Sequence, residues 1–226
     1  MGVNVDLAPV LDLGRPGRAI TEQGRTFART PAGVSRIGVG FAQGLAAAGV
    51  AATAKHFPGL GGARLDTDDA VQKIGLSAAA LRRAAERSFA SFARAGGAMV
   101  MLSTATYPAL SGKPAALSRA VATGELRDRL GFEGVSITDA LGTVSARAVG
   151  GPARTATIAA AAGTDLVLFT DIGAAAKAQR ALAAGLTRGT LDRAEFEASV
   201  DRILALRSAA TPRRAGRRPR APAPGG

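Results

Sequence analysis

The chain reads as an α/β protein of parallel βα type, an incomplete form of the eight-stranded TIM-type (β/α)8 barrel. Three observations predict this class. Short apolar runs alternate with segments of helical character about five times along the chain. The runs are apolar almost without a break, as strands buried on both faces are. The run Val50–Ala54 ends in Lys55-His56, then in a loop holding Pro58, Gly59, Gly61 and Gly62 and closed by Asp66, Asp68 and Asp69. Charged groups at the carboxyl end of a buried strand mark the mouth of such a domain, where its chemistry sits. A closed barrel typically needs about 250 residues. The structured part of this 226-residue chain is shorter and supplies five strands, so two or three βα units are expected to precede Met1.

Each element follows in order. Val3–Val10 is the first strand and runs into a loop through Gly14, Pro16 and Gly17. Thr30 or Ser35 opens a helix whose apolar positions Ile37, Phe41 and Leu45 recur every four residues, and Gly49 ends it. Val50–Ala54 is the second strand. Ser77 is a good N-cap for a helix through Leu81, Ala85 and Phe89 to about Arg94, stopped by Gly96 and Gly97. Ala98–Ser103 is the third strand, and its loop carries Tyr107, Pro108 and Ser111. A helix capped by Ser118 reaches about Leu130. After the turn Gly131–Gly134, Val135–Thr138 is the fourth strand, ending at Asp139. Pro152, well placed for a first turn, begins a helix to Ala162. Asp165–Thr170 is the fifth strand, ending at Asp171. Helices near 174–187 and 192–208 complete the body, the last with Phe196, Val200, Ile203, Leu204 and Leu206 along one side. From Thr211 the composition turns to Arg, Pro, Ala and Gly, too poor in apolar surface to offset ordering. The expected division is a domain over 1–210 and a disordered basic tail over 211–226.

Composition excludes several functions. Of the net charge of +12, five charges are tail arginines, and the aromatic fraction of 4% argues against stacking platforms for single-stranded nucleic acid. No specific nucleic-acid partner is expected. With no cysteine and one histidine, neither disulfides nor a metal site are expected. The glycines after His56 lack a following Gly-Lys-Ser/Thr, so they do not form a P-loop. No cofactor is implied. No run reaches membrane-spanning length, and no signal peptide is visible. The chain as written is expected in the cytoplasm, or outside the cell if its true N-terminus lies upstream.

Four sites project from strand ends: Asp12, Lys55 with His56, the loop acids, and Asp139. Converging carboxyl groups are the equipment for cleaving a glycosidic bond, one attacking and one protonating the leaving oxygen. Lysine and histidine anchor sugar hydroxyls by charge-assisted hydrogen bonds. Taken alone, Asp139 reads equally as a helix N-cap, Asp68 as acid/base or solvated loop residue, and Asp12 as a turn residue outside the chemistry.

Residues 4–12 (Asn-Val-Asp-Leu-Ala-Pro-Val-Leu-Asp), 25–27 (Arg-Thr-Phe), 54–61 (Ala-Lys-His-Phe-Pro-Gly-Leu-Gly) and 134–139 (Gly-Val-Ser-Ile-Thr-Asp) occur in this order, and Ser199–Arg207 follows as a last helix. In these segments, spanning essentially 3–208, the chain resembles the N-terminal catalytic domain of glycoside hydrolase family 3, in its β-N-acetylhexosaminidase branch. The resemblance implies a retaining hydrolase of terminal β-linked N-acetylglucosamine, with a glycan or muropeptide as partner and a covalent glycosyl-enzyme intermediate. It implies Asp139 as nucleophile and Arg25, Lys55 and His56 as the sugar clamp. The family's acid/base is a histidine in an Asp-Ser-His run. Here Asp66-Thr67-Asp68 stands in its place, so Asp66 matches the partner aspartate and Asp68 the acid/base. The carboxylate that follows the nucleophile in many relatives is Ala140 here, and the aspartate and arginine of the earlier strands have no counterpart. The alternative is a degenerate relative with at most weak sugar binding.

Overall fold

In the computed structural model, which describes residues 2–209, four parallel strands form one sheet in the order β1-β2-β3-β4. They are β1 (Val5–Asp6), β2 (Ala51–Phe57), β3 (Met99–Leu102) and β4 (Val135–Thr138). The strand order follows the chain order, as successive right-handed βα units require. Among the described residues the sheet stays open, an incomplete barrel. The expected tail, 211–226, lies outside the described residues.

The first and fifth expected strands are shorter than their apolar runs. Val3–Val10 pairs regularly only at Val5 and Asp6. Pro9 has no N–H to give a ladder, and pairing resumes as an isolated bridge from Val10 to Lys55. The segment 165–170 lies beside β4 but makes a single bridge, Leu166 with Ile137. Its next donor, the Leu168 N–H, turns to the Thr138 hydroxyl at 2.9 Å rather than to a backbone carbonyl. A threonine side chain there interrupts the ladder.

Helices α1 (Ala19–Glu22), α2 (Pro31–Ala47), α3 (Ala78–Ala80) and α4 (Glu86–Arg94) precede β3. Thr30 caps α2 by accepting from the Gly33 N–H, and Ser77 caps α3 by accepting from the Ala80 N–H. The stretch from α3 to α4 passes through wide π-helical turns at Leu81–Ala85, and Ala120–Arg129 is π-helical as well. After β4 come α5 (Val144–Arg147), α6 (Pro152–Ala161), α7 (Ile172–Thr187) and α8 (Arg193–Ala209). Asp171, expected at a strand end, instead caps α7 by accepting from the Ala174 N–H.

The face of α2 that packs inward differs from the expected one. Ile37 and Phe41 are exposed, while Val34 and Gly38 are buried. A side chain at Gly38 would place its Cβ 2.2 Å from a Leu11 methyl, so the helix approaches the loop after β1 through this glycine. Phe41 instead meets Phe27, their rings 6.2 Å apart. The α8 face is also narrower than expected: Phe196, Ile203 and Leu206 are half-buried, whereas Val200 and Leu204 are exposed.

Alternation along β3 divides the core in two. Val100 and Leu102 face the helical layer with Phe57, Phe89 and Phe92. Met99 and Met101 face the opposite side with Val135 and Ile137, where Ile203 and Leu206 of α8 pack. Helix α8 is fixed there by a buried charge. Asp165, with a fully buried side chain, accepts from Arg127 and Arg202 and from the Ser136 N–H and hydroxyl. An Asp165→Asn variant is expected to lose about 2 kcal/mol in urea denaturation, since two arginines then face a neutral amide.

Candidate active site

The mouth is built where β2 ends. Asp12, on the loop after β1, has a side chain wholly shielded from water. Its carboxylate accepts from the His56 Nδ1 (2.7 Å), the His56 backbone N–H (3.2 Å) and the Leu60 N–H (2.5 Å). One buried acid thus ties both ends of the segment 56–60 to the loop after β1. The glycine at 61 is needed for that approach, because a Cβ there would fall 2.2 Å from the Leu13 carbonyl oxygen. The peptides Lys55–His56 and Phe57–Pro58 are both cis.

A carboxylate only accepts and a guanidinium only donates, so the His56 Nδ1–H donates to Asp12 and Nε2 is left as the acceptor towards Arg25. Nε2 faces the Arg25 guanidinium at 3.4 Å and the Asp139 carboxylate at 4.0 Å. Arg25 also donates to the Gln23 side-chain oxygen (3.1 Å), and the Gln23 amide donates to Asp66 (2.8 Å). A continuous polar chain therefore runs from Asp12 through His56, Arg25 and Gln23 to Asp66.

Asp139 follows β4. Its N–H donates to the Leu102 carbonyl, and one carboxylate oxygen accepts from the Ala140 N–H at 2.8 Å. The other is the oxygen facing His56, and a fifth of the side chain remains open to water. Lys55, half-buried, joins the group. Its pKa is lowered, first by burial and then by Arg25, against the opposing pull of Asp139, Asp6 and Asp12. Tyr107 is fully buried close to Asp12 and Asp139, and burial keeps its hydroxyl protonated.

The acidic loop is docked on the segment after Asp139. The N–H groups of Ser145 and Val144 reach the carbonyls of Thr67 and Asp68, and the Ser145 hydroxyl donates to the Ala70 carbonyl. The two loop acids then diverge. Burial alone would raise Asp66, but the Gln23 amide, the Asp68 N–H and the charge of Arg25 outweigh it and hold its pKa down. Asp68 is pushed up, first by desolvation and then by Asp66, Asp139 and Asp69. Adjacent carboxyl groups with opposite shifts are a means of keeping one charged and the other protonated.

All six residues singled out in the sequence, Arg25, Lys55, His56, Asp66, Asp68 and Asp139, thus border one mouth. Asp12 is a correction: read as a turn residue outside the chemistry, it anchors the histidine. Gln23 was not singled out either. A polar residue two positions before Arg25 carries no signal of its own until the fold sets it against the acidic loop. Among the described residues no group of three or more His, Cys, Asp or Glu side chains is arranged to hold a metal ion, and no helix is long and apolar enough to cross a membrane.

Residues 1–206 match the family model of the glycosyl hydrolase family 3 N terminal domain. An uncharacterized secreted glycosyl hydrolase of Arthroderma benhamiae is 41% identical over 91% of this chain and 60% of its own length. A beta-hexosaminidase of Xylella fastidiosa is 36% identical over 74% of this chain and 49% of its own. The chain therefore spans from about half to 60% of the length of these relatives. The structure of a glycoside hydrolase family 3 beta-N-acetylglucosaminidase from Paenibacillus sp. str. FPU-7 superposes with a TM-score of 0.87 at 32% identity, covering 92% of this chain and 40% of that one. The parallel strands, the polar mouth at their carboxyl ends and these likenesses agree, and the chain belongs to glycosyl hydrolase family 3 through its N-terminal domain.

Proposed function

We propose that this domain hydrolyses terminal β-linked N-acetylglucosamine with retention of anomeric configuration. The observation that carries the reading is the meeting of Asp139 and His56, 4.0 Å apart, in one opening that also holds Arg25, Lys55 and the divergent pair Asp66 and Asp68. An Asp139 oxygen attacks the anomeric carbon and forms an ester as the bond to the leaving oxygen breaks. Asp68, whose carboxyl its surroundings push towards the protonated form, gives its proton to that oxygen. In the second half Asp68 takes a proton from water, the water oxygen displaces Asp139, and both carboxyl groups return to their starting states. Arg25 and Lys55 hold sugar hydroxyls, and His56 offers Nε2 as an acceptor. Asp66 stays ionised beside Asp68.

The test is release of nitrophenol from 4-nitrophenyl N-acetyl-β-glucosaminide, with proton NMR of the first-formed sugar. The β-anomer is expected first, whereas an α-anomer or no turnover overturns the reading. One observation favours a second reading, an impaired relative that only binds sugar: Asp68 is exposed, unlike a buried acid. Saturable sugar binding without turnover would support it. The Arthroderma relative, named as secreted, favours an extracellular over a cytoplasmic place of work. Fractionation of the producing cells checks this.

A pH profile separates the roles further. If Asp68 is the acid, kcat/KM falls as pH rises through its elevated pKa, because only the protonated form donates. In Asp68→Asn this alkaline limb should disappear. Hydrolysis of an N-acetylglucosaminide with a poor, alkoxide leaving group should drop about 10²–10⁴-fold, and that of the nitrophenyl substrate much less. Equal losses on both substrates would remove Asp68 from the acid role.

A further inference from the structure

A second polar recess lies behind the mouth. It is a groove of about 390 Å³ between the turn 15–18 and the segment 72–76, and Arg15, Arg18, Arg64 and Lys73 line it. That volume falls within the roughly 300–1,000 Å³ usual for small-molecule sites. No carboxylate lines it. Glu22, at the end of α1, spends one oxygen on the Gly17 N–H at 2.9 Å.

Elsewhere in the described residues several arginines are matched: Arg82 and Arg129 with Glu125, Arg119 with Glu195, and Arg127 and Arg202 with Asp165. Among the described residues none of Arg15, Arg18, Arg64 and Lys73 forms an ion pair. Like charges gathered round one concavity repel wherever they approach within the Debye length, about 8 Å at physiological salt. A bound anion relieves that repulsion. Three arginines add planar forks suited to carboxylate or phosphate oxygens.

The groove also shares its wall with the mouth. The Ala19 N–H donates to the Ala63 carbonyl, closing the partition between the two. On the far side of that partition Ala19, Ala63, Gln23, Arg25 and Asp66 line the small cleft next to His56. Buried Gln72 borders the groove, and its side-chain oxygen accepts from the N–H groups of Arg64 and Leu65, at the root of the acidic loop.

We propose that this groove is a binding site for a carboxylate- or phosphate-sized anion, held by Arg15, Arg18, Arg64 and Lys73. The anion has two possible sources, a free oxyanion or an acidic group on the glycan beyond the reacting sugar. The second source rests on the hydrolase reading above; the site itself does not.

The experiment has two arms and uses the full chain. In the first, calorimetric titration with inorganic phosphate at constant ionic strength should show one saturable site. The double variant Arg18→Ala/Arg64→Ala should weaken it by about tenfold or more, each lost fork removing a charge-assisted contact. Both side chains are at least partly open to solvent, so the variant should keep the wild-type melting temperature. No saturable binding, or equal affinity in the variant, overturns the site. The second arm compares hydrolysis of N,N′-diacetylchitobiose with that of its aldonic acid, which adds one carboxylate at the reducing end. Preference for the acid, lost in the double variant while the rate on the neutral sugar stays unchanged, assigns the anion to the glycan. Phosphate binding with equal rates on both sugars assigns it to a free oxyanion. If neither sugar is cleaved the hydrolase reading fails, and the phosphate titration still decides the groove.

Discussion

Replacing Asp139 with asparagine is expected to lower kcat on 4-nitrophenyl N-acetyl-β-glucosaminide by about 10⁴-fold or more, a loss of about 5.4 kcal/mol or more in transition-state stabilisation. The amide nitrogen cannot attack the anomeric carbon, and the amide oxygen is a poor nucleophile. The fold should be untouched. Asparagine keeps an oxygen to accept from the Ala140 N–H, and the oxygen facing His56 makes no close hydrogen bond there. Melting temperature should therefore stay within a degree or two of wild type, about 0.5 kcal/mol for a chain of this size. Chemical rescue adds a control that a structural role would not pass. In Asp139→Gly, azide can enter the vacated space, attack the anomeric carbon and release the nitrophenolate, giving a glycosyl azide of inverted configuration. Recovery of nitrophenol release with azide, together with that product, fixes the nucleophile. Wild-type turnover in Asp139→Asn would instead remove Asp139 from the covalent step.

How much of this was legible beforehand depended on whether the signal was local. The strand β2 and its Lys55-His56 tip were legible because an apolar run and a Pro-Gly loop meet within a few residues. The caps Thr30 and Ser77 were legible because a hydroxyl at a helix start has one dominant use. The inward face of α2 was not. Periodicity counted Ile37 and Phe41 as core, but the closest approach is made by Gly38 against Leu11, and a glycine contributes nothing to an apolar pattern. The fifth strand failed for a similar reason: its apolar content was right, but the ladder was broken by the Thr138 hydroxyl of its neighbour. Gln23 and Asp12 owe their importance to partners more than thirty residues away, and no window of sequence contains that pairing.

Asp12 gives the second large effect, and its two variants separate stability from chemistry. Asp12→Ala leaves the Nδ1–H of His56 and the backbone N–H groups of His56 and Leu60 without their buried acceptor. Each unsatisfied buried donor costs about 1–3 kcal/mol, so the sum after relaxation is expected near 3–5 kcal/mol. That corresponds to a fall of about 10 °C in melting temperature. Asp12→Asn preserves the volume and one acceptor oxygen. The amide NH₂ group then competes with an imidazole N–H for the same space, and the ring either turns or moves its proton to Nε2. In both cases Arg25 loses the acceptor it faces at 3.4 Å, and the side of the mouth towards Asp139 gains a donor. The expected result is a chain that stays folded and loses about 10–100-fold in kcat/KM, since an outer hydrogen bond that fixes a working histidine is worth about that much. A positioning role predicts that the loss falls mainly on KM for the N-acetylglucosaminide, because His56 holds the sugar rather than attacks it. If Asp12→Asn keeps the wild-type KM and kcat while Asp12→Ala still unfolds early, the buried carboxylate serves the fold alone and His56 needs no fixed tautomer.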